Sequence, residues 1–126
     1  MLAAADYVAA HLAGFGYDTI VVDGGYYADG AQGLTPNGLP LPNATRFPSS
    51  ADGHGLRSLA RAVHARGLRF GAWDIRGVPL AGVAAGLPIA GAPGLTLADA
   101  ASTTRNCSWD SNVLGTNAPS AAASAW

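Results

Sequence analysis

Two stretches of the sequence show the same order of elements, and this order limits the folds open to the chain. In each, a helical pattern leads through glycine to a short apolar run that ends at an aspartate, within residues 2–23 and 54–74. The second helix carries apolar residues at i, i+3, i+4 and i+7, the spacing of one buried helix face. The runs 17–23 and 68–73 are apolar on both faces, which is typical of strands buried in a parallel sheet. Two such units in series predict an α/β fold with a right-handed crossover between parallel, adjacent strands.

Polar and aromatic side chains stand where the two predicted strands end. Asp23 closes the first strand, and Trp73 and Asp74 close the second. Functional groups of parallel α/β folds collect at the carboxyl ends of the strands, so these residues form the candidate site. Carboxylates accept hydrogen bonds from sugar hydroxyls and indoles stack on sugar rings, which favours a carbohydrate ligand. The alternatives are that Asp23 only caps its strand and that Trp73 only fills the core.

Composition excludes several classes of protein. Apolar residues make up 49% of the 126 residues and charged residues 12%, which predicts one ordered domain. The net charge of −1 and the lack of a basic face exclude nucleic acid as a partner. No apolar run reaches the roughly 18 residues of a membrane span.

The sequence leaves the cellular location open. Its first residues lack the basic region of a signal peptide. The glycosylation patterns at Asn43 and Asn106 favour secretion of a longer parent protein only weakly.

No motif for a metal or cofactor is present in the sequence. There is no Gly-x-Gly-x-x-Gly, no phosphate loop, no Cys-x-x-Cys and no His-Glu-x-x-His, and the three histidines lack ligand spacing. We therefore expect no metal and no cofactor. Cys107 is the single cysteine, which leaves open a buried inert thiol or half of a bridge to another chain or to a missing segment.

The remaining segments are rich in glycine and proline. Residues 24–52 form a connection far longer than the usual ~4–6 residues, and its aromatic residues favour an ordered, functional loop. Beyond Asp74 we expect only short helical turns near 80–85 and 96–101, and a helix that begins at Pro119. This tail is expected to bury little apolar area for its ordering cost.

Several stretches, in the same order, resemble the α-galactosidase (melibiase) family, glycoside hydrolase family 27. The later ones resemble the long loop of its plant and bacterial-type subgroup. The resemblance implies an α/β fold of the (β/α)8 TIM-barrel type. Residues 1–126 would be an incomplete N-terminal portion, with about two β/α units, a long irregular loop and no closed barrel. The stretches are Gly16–Asp23, Thr45–Ser50, Gly55–Gly71, Ile75–Pro79, Leu87–Ile89, Thr96–Asp99 and Cys107–Trp109.

The resemblance also implies roles for single residues. Asp23 resembles the first of two tandem strand-end aspartates that hold sugar hydroxyls, whereas the second position is Gly24 here. Trp73 stands where the family usually has Tyr or His in the sugar pocket, and Arg76 matches an Arg-Gly turn of the subgroup. Cys107 resembles a loop cysteine that often forms a disulfide with a cysteine after the next strand, and this chain lacks that partner.

The family's chemistry needs more than this chain contains. Retaining glycosidases use two carboxyl groups ~5–5.5 Å apart, and the resemblance places both aspartates on later strands whose motifs are absent here. The sequence therefore predicts a fragment of an enzyme that hydrolyses terminal α-galactosides. The fragment would contribute pocket residues, would be inactive alone and would need the remainder of the barrel to fold.

Two alternatives from other classes stay open. One is a non-catalytic carbohydrate-binding or partner module derived from that barrel, and the other is an ordinary small α/β domain.

Overall fold

Helices and strands alternate through the first part of the chain, and a second group of strands follows. The computed structural model describes residues 1–74, 77–106 and 110–125. The helices are α1 (Leu2–His11), α2 (Arg57–His64), α3 (Leu80–Ala84), α4 (Leu97–Ala100) and α5 (Ala121–Ala125). The strands are β1 (Thr19–Val22), β2 (Arg69–Ala72), β3 (Val78–Pro79), β4 (Ala101–Asn106) and β5 (Val113–Thr116). Single 3-10 turns lie at Ala13–Phe15, Ala31–Gly33 and Pro48–Asp52.

The chain divides into two compact units. Unit 1 consists of residues 1–27 and 42–74, and it contains the predicted helix–strand pairs. Unit 2 consists of residues 28–41 together with the described part of the chain after residue 74. Each unit has its own buried apolar cluster.

The two strands of unit 1 form a parallel pair, as the sequence predicts. Val22 lies opposite Ala72 at the end of the register. The backbone N–H of Trp73 then donates to the carbonyl oxygen of Val22 at 2.8 Å. Because this hydrogen bond continues the ladder beyond the last strand residues, Asp23 and Trp73 leave the sheet at the same edge. Both the parallel adjacency and the shared edge are confirmed.

The elements of unit 1 are shorter than predicted. The predicted strands 17–23 and 68–73 are each four residues long in the structure. The helix expected near 54–66 begins only at Arg57, because Gly53 and Gly55 adopt left-handed φ angles of 76° and 61°. Gly67 has the predicted left-handed conformation, with a φ of 76°, but it lies three residues after the end of α2, whose C-cap is Ala65.

Burial in unit 1 is confined to one face of the sheet. On β1, Ile20 and Val22 are buried, whereas Val21 is 53% exposed. The prediction that both strands are buried on both faces is therefore wrong for this chain, because α1 and α2 cover a single face. The buried cluster consists of Ala5, Ile20, Val22, Leu59, Val63 and Leu68.

Two ion pairs join the elements of unit 1 at the surface. The guanidinium of Arg66, just after α2, contacts Asp6 of α1 at 2.6 Å, and Arg69 contacts Asp18 at 2.7 Å across the starts of the two strands. In each pair the hydrogen bond from the arginine lowers the pKa of the aspartate below its ordinary value. Both carboxylates are exposed, so these pairs fix geometry more than they add stability.

Unit 2 contradicts the expectation of an irregular tail. Strands β3, β5 and β4 form an antiparallel sheet in that spatial order, with a register shift within the β4–β5 pairing. Helices α3 and α4 confirm the two expected helical turns, and α5 begins at Ala121 rather than at Pro119. The tail also buries more apolar surface than expected. Its buried cluster consists of Val78, Ile89, Leu97, Ala100, Ala101 and Ala122.

Leu97 lies at the centre of unit 2. It is the first residue of α4, which is fixed by reciprocal capping between Thr96 and Asp99. The carboxylate of Asp99 accepts the backbone N–H of Thr96 at 2.9 Å, and this hydrogen bond is the main reason that the pKa of Asp99 is lowered. A side chain at Gly38 or Gly82 would collide with Leu97, so the 28–41 segment and α3 pack closely over it. None of the helices in the described residues is both long and apolar enough to cross a membrane.

A pair of valine-to-alanine substitutions tests the one-sided core of unit 1. Val63 is fully buried on α2, so Val63→Ala should cost about 2 kcal/mol through lost burial and an unfilled cavity. Val21→Ala removes the same atoms from an exposed position and should change stability by less than about 0.5 kcal/mol. Hydrogen exchange of the β2 backbone amides measures both changes. Equal losses in the two variants would contradict the assignment of the buried face.

Candidate functional site

The candidate site begins with the residues that follow β1 and β2. Side chains alternate between the two faces of a strand, so Asp23 continues the face of Val21, away from the helices. Continued by one residue beyond Val22 and Ala72, the register places Trp73 beside Asp23 on the same face of the sheet. The carboxylate of Asp23 accepts the backbone N–H of Gly24 at 2.7 Å through Oδ1, which orients the side chain at the edge. The structure therefore brings Asp23 and Trp73 together.

The indole of Trp73 lies directly on Gly24. A Cβ atom built on Gly24 would lie 2.7 Å from Cζ3 and 3.0 Å from Cε3 of the indole. Real Cβ atoms are not found this close to other heavy atoms. The ring thus fills the space in which a side chain at position 24 would begin, while 37% of Trp73 stays exposed.

The turn after β1 is held by residues 42–47, which return beside it. The backbone N–H of Asn43 donates to the carbonyl oxygen of Tyr26 at 2.8 Å. The guanidinium of Arg46 donates to the carbonyl oxygen of Gly25. The side-chain oxygen of Asn43 accepts the backbone N–H groups of Thr45 at 3.0 Å and Arg46 at 3.3 Å. These contacts fix residues 24–26 beside the strand ends.

Tyr26 adds a phenol to the same edge. Its ring packs against the buried cluster of unit 1 and meets the ring of Tyr27 edge-on, with centroids 5.4 Å apart. Burial raises the pKa of the Tyr26 phenol, and the nearby carboxylate of Asp74 raises it further. The phenol therefore stays protonated over a wider pH range and can donate a hydrogen bond.

Tyr26 and Arg46 hold the turn that follows β1, and sequence reasoning did not assign either of them a role there. Tyr26 was expected only to pack within the loop. Asn43 followed by a basic residue three positions later was the available clue, because asparagine commonly closes such turns through its side chain. The predicted site residue Arg76 and the candidate disulfide residue Cys107 both lie outside the described residues.

The arrangement can hold a ring and hydrogen-bond its edge. Asp23 supplies a charged acceptor and Trp73 an aromatic surface, whereas the ring of Tyr26 packs against the buried cluster of unit 1. Among the described residues, no group of three His, Cys, Asp or Glu side chains is placed to hold a metal ion. These features define an α/β protein whose candidate ligand-binding groups stand at the carboxyl ends of parallel strands.

Comparison with known proteins shows which family the chain resembles. The sequence matches no protein-family model, and no curated protein sequence matches it. Solved structures do match it. A β-L-arabinopyranosidase of glycoside hydrolase family 27 from Geobacillus stearothermophilus superposes with a TM-score of 0.89 at 31% identity. The match covers 97% of this chain and 30% of the enzyme.

Two further solved structures agree with this match. A variant of the same Geobacillus enzyme, in complex with arabinose, gives a TM-score of 0.88 at 30% identity over 97% of this chain and 30% of that one. A Bacillus halodurans protein provisionally named as an α-N-acetylgalactosaminidase gives 0.89 at 32% identity over 98% and 31%. The predicted resemblance to glycoside hydrolase family 27 is confirmed. The chain spans about 30% of the length of these relatives, and within its described residues the strands form two open sheets and no closed barrel.

The ionisation of Tyr26 tests the contact between the loop and the strand ends. Its phenol should titrate above the ordinary tyrosine value of about 10. Asp74→Asn should lower the pKa in part, because burial, the larger cause, remains. Since the folded-state pKa is raised, the associated stability is present below the unfolded value and is lost as the pH rises through the folded value. NMR titration of ring-labelled tyrosine measures the pKa, with Asp29→Asn as the control. An unchanged Tyr26 pKa in Asp74→Asn would contradict the electrostatic effect of Asp74 on the Tyr26 phenol.

Proposed function

We propose that the chain is the N-terminal portion of the catalytic barrel of a retaining, α-galactosidase-like glycoside hydrolase. In this proposal Asp23, Trp73 and Arg76 contribute to the pocket for a terminal α-galactoside or a related sugar. The observation that carries the proposal is the placement of Asp23 and Trp73 on one edge of a parallel strand pair. The chain also aligns with 30% of the length of a Geobacillus enzyme of glycoside hydrolase family 27.

The open face of unit 1 supports a role as part of a larger barrel. Within the described residues, β1 and β2 pair only with each other. Closing a barrel requires a further strand on the outer edge of each. Val21 projects from the uncovered face beside Gly71, where a barrel would place its interior. The rest of the parent protein would supply the missing strands together with both catalytic aspartates.

The substrate follows from the resemblance and from the chemistry of the edge. The carboxylate of Asp23 suits a pair of sugar hydroxyls, because charge-assisted hydrogen bonds are stronger than neutral ones. The two named relatives act, by their names, on a β-L-arabinopyranoside and an α-N-acetylgalactosaminide. Both names describe pyranosides related in shape to galactosides. An exposed indole at the same edge provides a stacking surface for such a ring.

One observation favours the second candidate, a non-catalytic carbohydrate-binding or partner module. Unit 2 has a buried core of its own, organised around Leu97. A chain with such a core needs less help from missing segments than a bare pair of strands would. The module would keep the Asp23 and Trp73 edge and bind sugar without hydrolysis.

Asparagine substitution at the strand ends tests the pocket assignment. The chain would be joined to the remaining 70% of the Geobacillus enzyme, of which it matches 30%. In this hybrid, Asp23→Asn should lower kcat/KM roughly 30- to 150-fold. This decrease corresponds to a loss of about 2–3 kcal/mol of transition-state stabilisation. Asp74→Asn should cost much less and serves as the matched control. Small and equal losses for both variants would remove Asp23 from the pocket.

The isolated chain supplies the second test of the proposal. It should release no nitrophenol from a nitrophenyl α-galactoside, because the catalytic carboxyl pair lies outside it. It should also melt broadly or aggregate, since exposed strand edges recruit other chains. Calorimetry and a nitrophenol assay measure the two properties. Turnover by the isolated chain that is lost only on Asp23 or Asp74 substitution would contradict the proposal that the chain is an inactive fragment. A sharp melting transition without turnover would support the non-catalytic module.

A further inference from the structure

We propose that Asn37 is a site of spontaneous deamidation to isoaspartate, and that the packing of Gly38 on Leu97 sets the rate of this modification. Asn37 belongs to the 28–41 segment of unit 2, and the reaction involves none of the strand-end residues of unit 1. The inference therefore stands independently of the proposed function.

Asn37 is the one asparagine of the sequence that glycine follows. Alanine follows two of the other four, and cysteine and valine follow the remaining two. Deamidation begins when the backbone nitrogen of the next residue attacks the side-chain carbonyl carbon of the asparagine. Glycine has no Cβ atom to hinder this approach, and it gives the backbone the widest freedom of rotation. The sequence therefore favours ring closure at Asn37.

The fold of unit 2 requires glycine at position 38. Gly38 has a φ of 82°, in the left-handed region that other residues rarely adopt. A Cβ atom at Gly38 would also collide with the side chain of Leu97. Gly38 is buried, whereas Asn37 beside it is exposed. Packing against Leu97 thus demands the one neighbour that makes an exposed asparagine chemically labile.

The folded turn opposes the reaction. The backbone N–H of Gly38 donates to the carbonyl oxygen of Thr35 at 2.9 Å, and the N–H of Thr35 donates to the carbonyl oxygen of Leu39 at 2.8 Å. The hydroxyl of Thr35 accepts the N–H of Leu39 at 3.0 Å. With the left-handed Gly38, these bonds form a three-residue hairpin loop. The nitrogen of Gly38 cannot attack while its proton is held in this loop, so ring closure requires that the turn open first.

The reaction balances with water as its co-reactant. The nitrogen of Gly38 loses its proton and bonds to Cγ of Asn37, the Cγ–Nδ2 bond breaks, and ammonia leaves. Water then opens the succinimide ring. Cleavage at the backbone carbonyl carbon of Asn37 gives isoaspartate, in which the main chain runs through Cγ, and cleavage at Cγ gives aspartate. Both products carry a negative charge, but only isoaspartate lengthens the main chain by a carbon atom.

The longer main chain of isoaspartate does not fit the turn. The hydrogen bond from Gly38 to Thr35 closes a loop of fixed length, and Gly38 must also stay against Leu97. An added carbon between positions 37 and 38 cannot satisfy both contacts. We therefore expect isoaspartate to loosen the 28–41 segment over the Leu97 cluster. Aspartate keeps the normal backbone and is itself common in turns.

The first arm of the experiment measures the rate of deamidation at Asn37. The sample is the hybrid of this chain with the Geobacillus enzyme, and the unfolded reference is a synthetic peptide of residues 33–41. Both are incubated in the same buffer at neutral pH, and mass spectrometry of digests follows deamidation at Asn37. The rate in the hybrid should be at least about tenfold lower than in the peptide, because only the open turn reacts. Equal rates in the two samples would overturn the inference.

The second arm tests control by Leu97 in the same hybrid. Leu97→Ala should raise the deamidation rate of Asn37 at least about fivefold, because it removes the side chain that holds Gly38. Val63→Ala is the matched control, since it shortens a fully buried side chain in the cluster of unit 1. It should change the rate less than about twofold. Equal acceleration by the two variants would overturn the control by Leu97.

A milder variant keeps this arm decisive if Leu97→Ala unfolds unit 2. Thr35→Val removes the hydroxyl that accepts the N–H of Leu39 and leaves Leu97 in place. The turn should open more often, and the deamidation rate of Asn37 should rise about two- to tenfold. A rate that stays unchanged in Thr35→Val would contradict the gating by the turn.

The third arm separates the longer backbone from the new charge. The isoaspartate form is purified from aged hybrid and compared with Asn37→Asp by hydrogen exchange at the Gly38 amide. Protection should fall at least about tenfold in the isoaspartate form and stay within about threefold in Asn37→Asp. Asn37→Gln is the unmodified control, because ring closure at glutamine needs a larger ring. Full protection of Gly38 in the isoaspartate form would overturn the effect on the 28–41 segment.

Discussion

The backbone hydrogen bonds between β1 and β2 are the interaction on which the candidate site depends. The bond from the N–H of Trp73 to the carbonyl of Val22 sets Asp23 and Trp73 level at the end of the sheet. A shift of the register by one residue would turn one of these side chains toward the helices, because successive residues face opposite sides. Burial of Ile20 and Val22 beneath α1 and α2 opposes that shift. Packing on one face of the sheet thus positions the side chains of Asp23 and Trp73 on the other face.

The sequence predicts an element well where its period and its ending agree. The α2 and β2 pair has helical spacing, a terminal Gly67 and an apolar run, and all three appear in the structure. The antiparallel sheet of unit 2 has no comparable pattern. Strand β4 contains Ser, Thr, Arg and Asn with most side chains exposed, and β3 is two residues long. A register shift between β4 and β5 further obscures alternation. These strands depend on tertiary pairing rather than on local preference.

The same reasoning explains which parts of the site were predictable. Asp23 and Trp73 adjoin strands, so the strand ends fix their positions. Arg46 reaches the carbonyl of Gly25 across 21 residues of sequence, and that contact exists only once the loop has folded back. No local sequence pattern predicts that Arg46 contacts the carbonyl of Gly25. The fit of Trp73 on Gly24 is likewise invisible in sequence, although the absence of an aspartate at position 24 was visible.

The two units differ in how completely their strands are paired and their apolar faces are buried. In unit 2, β5 is paired on both sides, and α4 is capped over a closed apolar cluster. In unit 1, the parallel pair is covered on the face of Ile20 and Val22, while Val21 stands exposed. Parallel strands are ordinarily covered on both faces, because their crossover helices and neighbours exclude water from each side. The part of the chain that carries the candidate site is therefore the part whose packing is incomplete. Covering the face of Val21 would also enclose Asp23 and Trp73, and a carboxylate in a less polar setting holds sugar hydroxyls more strongly.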